Sequence, residues 1–341
     1  MEASRRNRLR LGVIGLGRLW EARHKPALLR MADRVQVVAV YDQVAKRAEV
    51  EAASLRCVAS SGLKALIDRP DVDAVSILTP QWFGLHALEI AAKSGKPIYC
   101  AVPPTTDTEG LERAAVAIRE HGSPFMPEFA RRFYPATLRL RELLATSLGA
   151  PRLILGHSRL FGFDRYGTPG PSIQLAPLSL SIDPGSFLLD WSRFIFSAEP
   201  TTVRGTQGFI TNVSETDYLS FTLEFPGGGM AQIGISRYDR GAWGDATRFL
   251  PQPGFQVFAE RGVAWLEMPD RVVWSDSSGT HDERLPMEPT IGELLNDHFL
   301  RMIRGEPSLA PTIDDALAAI HLDRGLRESY SEGRVTSLTN G

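Results

Sequence analysis

The sequence predicts a two-domain α/β protein. Its N-terminal part is a doubly wound parallel sheet, and its C-terminal part is an α+β domain built on a large, mainly antiparallel open sheet. Three observations carry this expectation. The first half alternates short, uniformly apolar runs with helical patterns, the βαβ rhythm of a parallel sheet covered on both faces. Past about residue 150 the rhythm shifts to strands of alternating polarity joined by Gly/Pro turns. The length, 341 residues, is also more than one hydrophobic core usually holds. The expected domains are residues 1–130 and 131–341, with the final helices free to pack back on the first domain.

Each element has its own signal. Residues 11–14 are an apolar run ending on Gly15-Leu-Gly17, and residues 35–41 are a β-branched run ending on Asp42. Residues 74–78 lead into Thr79-Pro80, and residues 97–102 into Pro103-Pro104. Helical patterns fill the gaps. One spans 85–93 and closes on Ser94-Gly95; another opens on the capping-box pattern Thr106-Asp-Thr-Glu109 and runs to His121-Gly122; a third covers 135–146. A strand is expected over 152–161, then a Gly/Pro-rich loop over 164–177. Asp183-Pro184 opens a helix, since Asp is a good N-cap and Pro suits the first helical position. Its apolar stripe is Leu188, Trp191 and Ile195. Leu219, Phe221, Leu223 and Phe225 alternate with polar residues, Pro226-Gly-Gly-Gly229 turns the chain, and 230–238 returns. A hairpin over 255–259 and 263–268 follows, then helices over 291–304 and 312–331.

Composition excludes several functions. The net charge of −2 argues against a nucleic-acid or acidic-membrane partner. The basic cluster Arg5, Arg6, Arg8 and Arg10 reads as a solvated leader. Two cysteines, Cys57 and Cys100, cannot build a disulfide framework, and Cys100 reads as a buried, inert thiol. Seven histidines (24, 86, 121, 157, 281, 298 and 321) are dispersed without zinc-binding spacing, so no metal is expected. No signal-like or membrane-spanning apolar run is evident, and the cytoplasm is the expected location.

Gly15-Leu-Gly17 at the end of the first strand has the form of a phosphate-binding turn. There backbone N–H groups approach a pyrophosphate at the following helix's N-terminus. Asp42, at the end of the second strand, is placed to accept hydrogen bonds from a ribose and to repel a 2′-phosphate. A Rossmann domain binding NAD in preference to NADP is therefore expected, with Arg47 softening that preference. The expected cofactor contacts are Gly15, Gly17, Arg18, Leu19, Asp42, Thr79, Pro80 and Trp82. Trp20-Glu21 stands where a third small residue is expected, which predicts a turn one residue longer.

Several further motifs resemble the glucose–fructose oxidoreductase / inositol dehydrogenase / MocA (Gfo/Idh/MocA) family over essentially the whole chain. They are Gly12-Val-Ile-Gly-Leu-Gly-Arg18, Val72-Asp-Ala-Val-Ser-Ile-Leu-Thr-Pro80, Gly95-Lys-Pro-Ile-Tyr-Cys100, Arg131-Arg-Phe-Tyr-Pro-Ala136, Leu140-Arg-Glu-Leu143 and Asp183-Pro-Gly185 with Asp190. The tail from Phe299 through Asp315-Ala316 to Gly333 is similar too. The resemblance implies NAD(P)-dependent oxidation or reduction of a sugar, polyol or related small polar carbonyl compound. It also implies a homodimer or homotetramer formed through the second domain's open sheet face.

The departures fall where that family does its chemistry. Its members carry Glu-Lys-Pro after the fifth strand, with the Lys hydrogen-bonded to the reacting oxygen; this chain reads Ala101-Val102-Pro103. Its members carry Asp-x-Gly-x-His as a source of the general acid/base; this chain reads Asp183-Pro-Gly185-Ser186-Phe187. The family's His after Thr-Pro is displaced as well: Gly84 aligns with it and His86 lies two residues on. Neither Val nor Phe takes up a proton, and general acid–base help is typically worth about 10²–10⁴-fold.

The expected substitutes for the missing groups are Asp183, Glu128 (if burial raises its pKa) and Tyr166. Arg131 and Arg132 are candidates to hold an anionic substrate, with Asp183, Phe187 and Val102 lining the substrate site. Asp190 and His157 read as structural, and Trp82 and Phe83 are placed to stack near the nicotinamide or a ligand. Two other functions stay open: a non-catalytic dinucleotide- or sugar-binding regulator, and a redox-neutral enzyme with tightly held NAD.

Overall fold

The computed structural model describes residues 8–79, 83–101, 107–161, 186–208, 218–238 and 254–338. They divide into two compact units, residues 1–133 with 287–318, and residues 134–286 with 319–341.

The first unit opens with β1 (Leu9–Ile14), a π-turn (Trp20–His24), α1 (Lys25–Arg30), β2 (Val35–Tyr41), α2 (Ala45–Leu55) and β3 (Val58–Ala59). It continues with α3 (Leu63–Ile67), β4 (Ala74–Ile77), α4 (His86–Ala92), β5 (Ile98–Cys100), α5 (Thr108–Glu120), β6 (Phe125–Pro127) and a 3₁₀ turn (Ala130–Phe133). The six strands pair in parallel in the order β3-β2-β1-β4-β5-β6. Chain order reverses between β1 and β4, the topological switch point at which such sheets bind ligands. Val13, Ile14, Ala74, Val75, Ile77 and Ile98 are fully buried, as strands covered on both faces require. The α5 N-cap is Asp107, whose side chain accepts the Gly110 N–H at 2.7 Å. The capping residue therefore lies one position beyond the expected Thr106, which is outside the described residues.

The second unit holds α6 (Pro135–Leu143), a π-turn (Leu144–Leu148), β7 (Pro151–Phe161), α7 (Ser186–Phe196), β8 (Thr202–Gly208), β9 (Tyr218–Glu224) and β10 (Met230–Tyr238). After these come β11 (Gly254–Ala259), β12 (Gly262–Glu267), β13 (Arg271–Asp276) and β14 (Gly279–Arg284). The chain ends with α8 (Ile291–Ile303), α9 (Ile313–Glu332) and β15 (Thr336–Ser337); α8 belongs to the first unit and α9 is shared between the two. The nine-stranded sheet runs β14-β13-β12-β11-β7-β10-β9-β8-β15, antiparallel except for the β7–β10 pair. One face forms the core: Ile154, Phe221, Leu223, Ile233, Val257, Leu266 and Val272 pack with Leu188, Trp191 and Ile195 of α7, the stripe expected there. The β9–β10 connection turns on Gly227 and Gly228, both at positive φ.

Candidate functional site

Gly15 follows β1 with φ +93°, and a Cβ there would lie 2.9 Å from the Leu78 carbonyl carbon and the Thr79 nitrogen. Glycine is required on both counts, and the turn is pressed directly against the end of β4. The Gly15 N–H donates to the Tyr41 carbonyl (2.8 Å) and the Leu16 N–H to Asp42 Oδ2 (2.8 Å). Asp42 Oδ1 accepts the Val44 N–H (2.8 Å), and Arg47 Nη1 stands 3.2 Å from both oxygens. One carboxylate thus ties the glycine turn to the end of β2. A Cβ on Gly17 would meet nothing within 4 Å, so the turn presents open space where a pyrophosphate would approach. The first N–H groups of the helix that follows have no acceptor within it. These features fit a dinucleotide's phosphates.

At Trp20 the chain forms a turn one residue longer than an α-helical one. Its extra residue sits inside the helix: the Lys25 N–H bonds back to the Trp20 carbonyl, five residues earlier, making a π-turn. The Trp20 ring at its start is fully buried.

Glu128 is buried directly after β6, where its N–H donates to the Cys100 carbonyl (2.8 Å). Its Oε2 accepts the Tyr99 hydroxyl at 2.6 Å and His24 Nε2 at 3.0 Å, while Oε1 is ion-paired with Arg23. Because a carboxylate only accepts, Nε2 of His24 carries the proton. Burial alone would raise the Glu128 pKa. The Arg23 charge and the bonds from His24 and Tyr99 outweigh it and hold the carboxyl at about 2. Glu128 is therefore a fixed anion rather than the proton acceptor expected from the sequence. Burial and the Glu128 charge drive the Tyr99 hydroxyl far above its ordinary range.

The remaining candidates separate. Arg132 is buried and pairs with Asp315 at 2.7 Å, which itself caps α9 through the Thr312 N–H (2.9 Å). Asp190 is buried 3.2 Å from Arg193 Nη1, matching its structural reading, and His157 Nε2 lies 2.9 Å from Ser236 Oγ. Arg131 and Phe187 are half-buried, Leu19 likewise, and Arg18 is exposed. Gly84 adopts φ +69° and His86 is the exposed first residue of α4. Cys100 is buried, and burial pushes the Cys57 thiol up to about 11. Pro80, Trp82, Val102, Tyr166 and Asp183 lie outside the described residues. The structure thus brings together Gly15, Gly17, Asp42 and Thr79. It also adds Arg23, His24 and Tyr99, whose adjacency to Glu128 no spacing in the sequence signals. Among the described residues no cluster of three or more metal-binding side chains exists, and no helix is long and apolar enough to cross a membrane.

Residues 9–129 match the family profile described as "Oxidoreductase family, NAD-binding Rossmann fold", and residues 138–265 that of the "GFO/IDH/MocA C-terminal domain". The chain is similar to inositol 2-dehydrogenase of Rhizobium meliloti, 26% identical over a 346-residue alignment covering 97% of this chain and 99% of that one. It is 31% identical to UDP-N-acetylglucosamine 3-dehydrogenase of Acidithiobacillus ferrooxidans, covering 68% of each chain. An oxidoreductase from Agrobacterium radiobacter, solved with NAD⁺, L-tartaric acid and magnesium, superposes with a TM-score of 0.80 at 17% identity, covering 96% of this chain and 98% of that one.

Proposed function

The chain belongs to the GFO/IDH/MocA oxidoreductase family, with an NAD-binding Rossmann fold, and from that premise we propose that it is an NAD(H)-dependent oxidoreductase of a sugar, polyol or related small polar carbonyl compound. The observation that carries this reading is the glycine turn at the switch point, tied to Asp42 and open at Gly17. The names of the relatives, an inositol and a sugar-nucleotide dehydrogenase, support the substrate class. When bound, the nicotinamide supplies the hydride acceptor or donor. The chain's own residues cradle the phosphates through the N–H groups from Gly17 onward and set the ribose end through Asp42. That carboxylate disfavours a 2′-phosphate, so NAD(H) is the preferred cofactor, and exposed Arg47 narrows the margin.

Proton transfer falls to Asp183 or Tyr166, since Val102 and Phe187 replace the family's Lys and His and Glu128 is held ionised. That same replacement favours a second reading, a protein that binds dinucleotide and a small polyol without turnover. Calorimetric titration with NADH and NADPH, followed by a panel of polyols and sugars, decides between them. Tighter NADPH binding, or no binding of either, contradicts the proposal; binding without any turnover selects the second reading.

We also propose a homodimer or homotetramer formed through the outer face of the nine-stranded sheet. Met230, Leu153, Phe258 and Val263 stand in one cross-strand row there, and Leu155, Gln256, Trp265 and Val273 in the next. Met230 and Phe258 are exposed in the single chain. An apolar stripe of this kind is unusual on a free surface.

A further inference from the structure

Arg23 and His24 are consecutive, yet both end on the carboxylate of Glu128. In an α-helix consecutive side chains diverge by about 100°. Residues three or four apart are the ones that share a face. These two converge inside the π-turn, which starts at Trp20, three residues after Gly17. The same Glu128 is fixed to the sheet twice, through its N–H to Cys100 on β5 and through the Tyr99 hydroxyl. Tyr99 is itself wedged edge-on between His24 and Phe299. Every partner that the buried carboxylate needs is thereby supplied, and they define one geometry for the turn.

We propose that Glu128 is a positioning residue for the dinucleotide turn. By gripping Arg23 and His24 it holds the π-turn in register against β5 and β6. The Gly15–Gly17 turn then keeps its shape although a tryptophan stands where close helix–strand packing calls for a small residue. The inference deepens the proposed function, and it rests on that reading only for the identity of the ligand.

Hydrogen exchange in the ligand-free protein tests it, alongside NADH titration of the same samples. Glu128→Gln is expected to speed exchange of the amides at 18–25 by about tenfold or more, leaving α5 unchanged, and to weaken NADH binding by roughly fivefold. Arg23→Gln, at a partly exposed position, should show the same pattern at lower amplitude and serves if the Glu128 variant does not fold. Leu111→Ala, in the core of α5, lowers stability comparably and should leave residues 18–25 and NADH affinity as in wild type. Wild-type exchange at 18–25 in both network variants, or changes no larger than those of Leu111→Ala, overturns the proposal. Failure of wild type to bind NADH would refute the proposed function alone, because exchange in the ligand-free protein still decides the positioning role.

Discussion

Replacing Asp323 with Asn should stabilise the protein at neutral pH. Asp323 is fully buried on α9; its Oδ2 accepts Arg327 Nε at 2.7 Å, while Oδ1 and Arg327 Nη2 are buried with no hydrogen-bond partner among the described residues. Burial raises its pKa from 3.8 to about 6, and the Arg327 charge offsets only part of that cost. The folded-state pKa lies above the unfolded one, so the native protein retains a proton that the unfolded chain releases. Stability therefore falls as pH rises from about 4 to about 6 and stays lower above that range. Two units correspond to about 3 kcal/mol at most. Asn resembles the neutral acid but gives up the ion pair, so a net gain of about 1–2 kcal/mol above pH 6 is expected, vanishing below about pH 4. Urea unfolding of both proteins across this range measures the difference. An Asn variant less stable than wild type at pH 7 would refute the reasoning and show the Asp323–Arg327 pair to be net stabilising.

Glu128 has a depressed pKa, so its contribution is complete above about pH 4.5 and drains as pH falls toward 2; Glu128→Gln should flatten acid unfolding in that window, as followed by circular dichroism. Gly15→Ala places a Cβ against backbone at positive φ, which should cost about 1–3 kcal/mol and weaken NADH binding at least tenfold by fluorescence titration. Trp265→Glu on the outer sheet face should leave the fold intact and shift light scattering toward the monomer.

Most of the fold was legible because its signals are local. The β-branched run before Asp42, the helical pattern over 291–304 and the glycine turn each depend on neighbours in sequence. Legibility failed where the determinant is elsewhere in the chain. The strand β14 reads GTHDER, with nothing β-like about it; it is an edge strand, where charge is tolerated and protects against pairing. Likewise β8, TVRGTQG, has only Val203 and Gly205 facing inward, and Gly205 is dictated by Leu326, far away in sequence. At the candidate site, Gly15, Gly17 and Asp42 were readable by spacing. The inversion of the Glu128 pKa was not, because it depends on Arg23 and His24, brought in from the first helical turn. The same distance effect gives Arg132 its partner: Asp315 comes from the far end of the chain.

The proposed function is that of a dinucleotide-binding oxidoreductase in which Val102 and Phe187 stand in place of the family's usual proton-transfer pair. The most direct test is the rate of NADH formation from inositol or glucose, by nicotinamide absorbance, in wild type, Val102→Lys, Phe187→His and the double variant. Wild type is expected to be extremely slow on these simple polyols. The double variant should be faster, with a pH dependence near the histidine pKa, and the two changes should be non-additive because both serve one proton transfer. Brisk polyol oxidation by wild type would contradict the account, by showing that other residues already carry the proton.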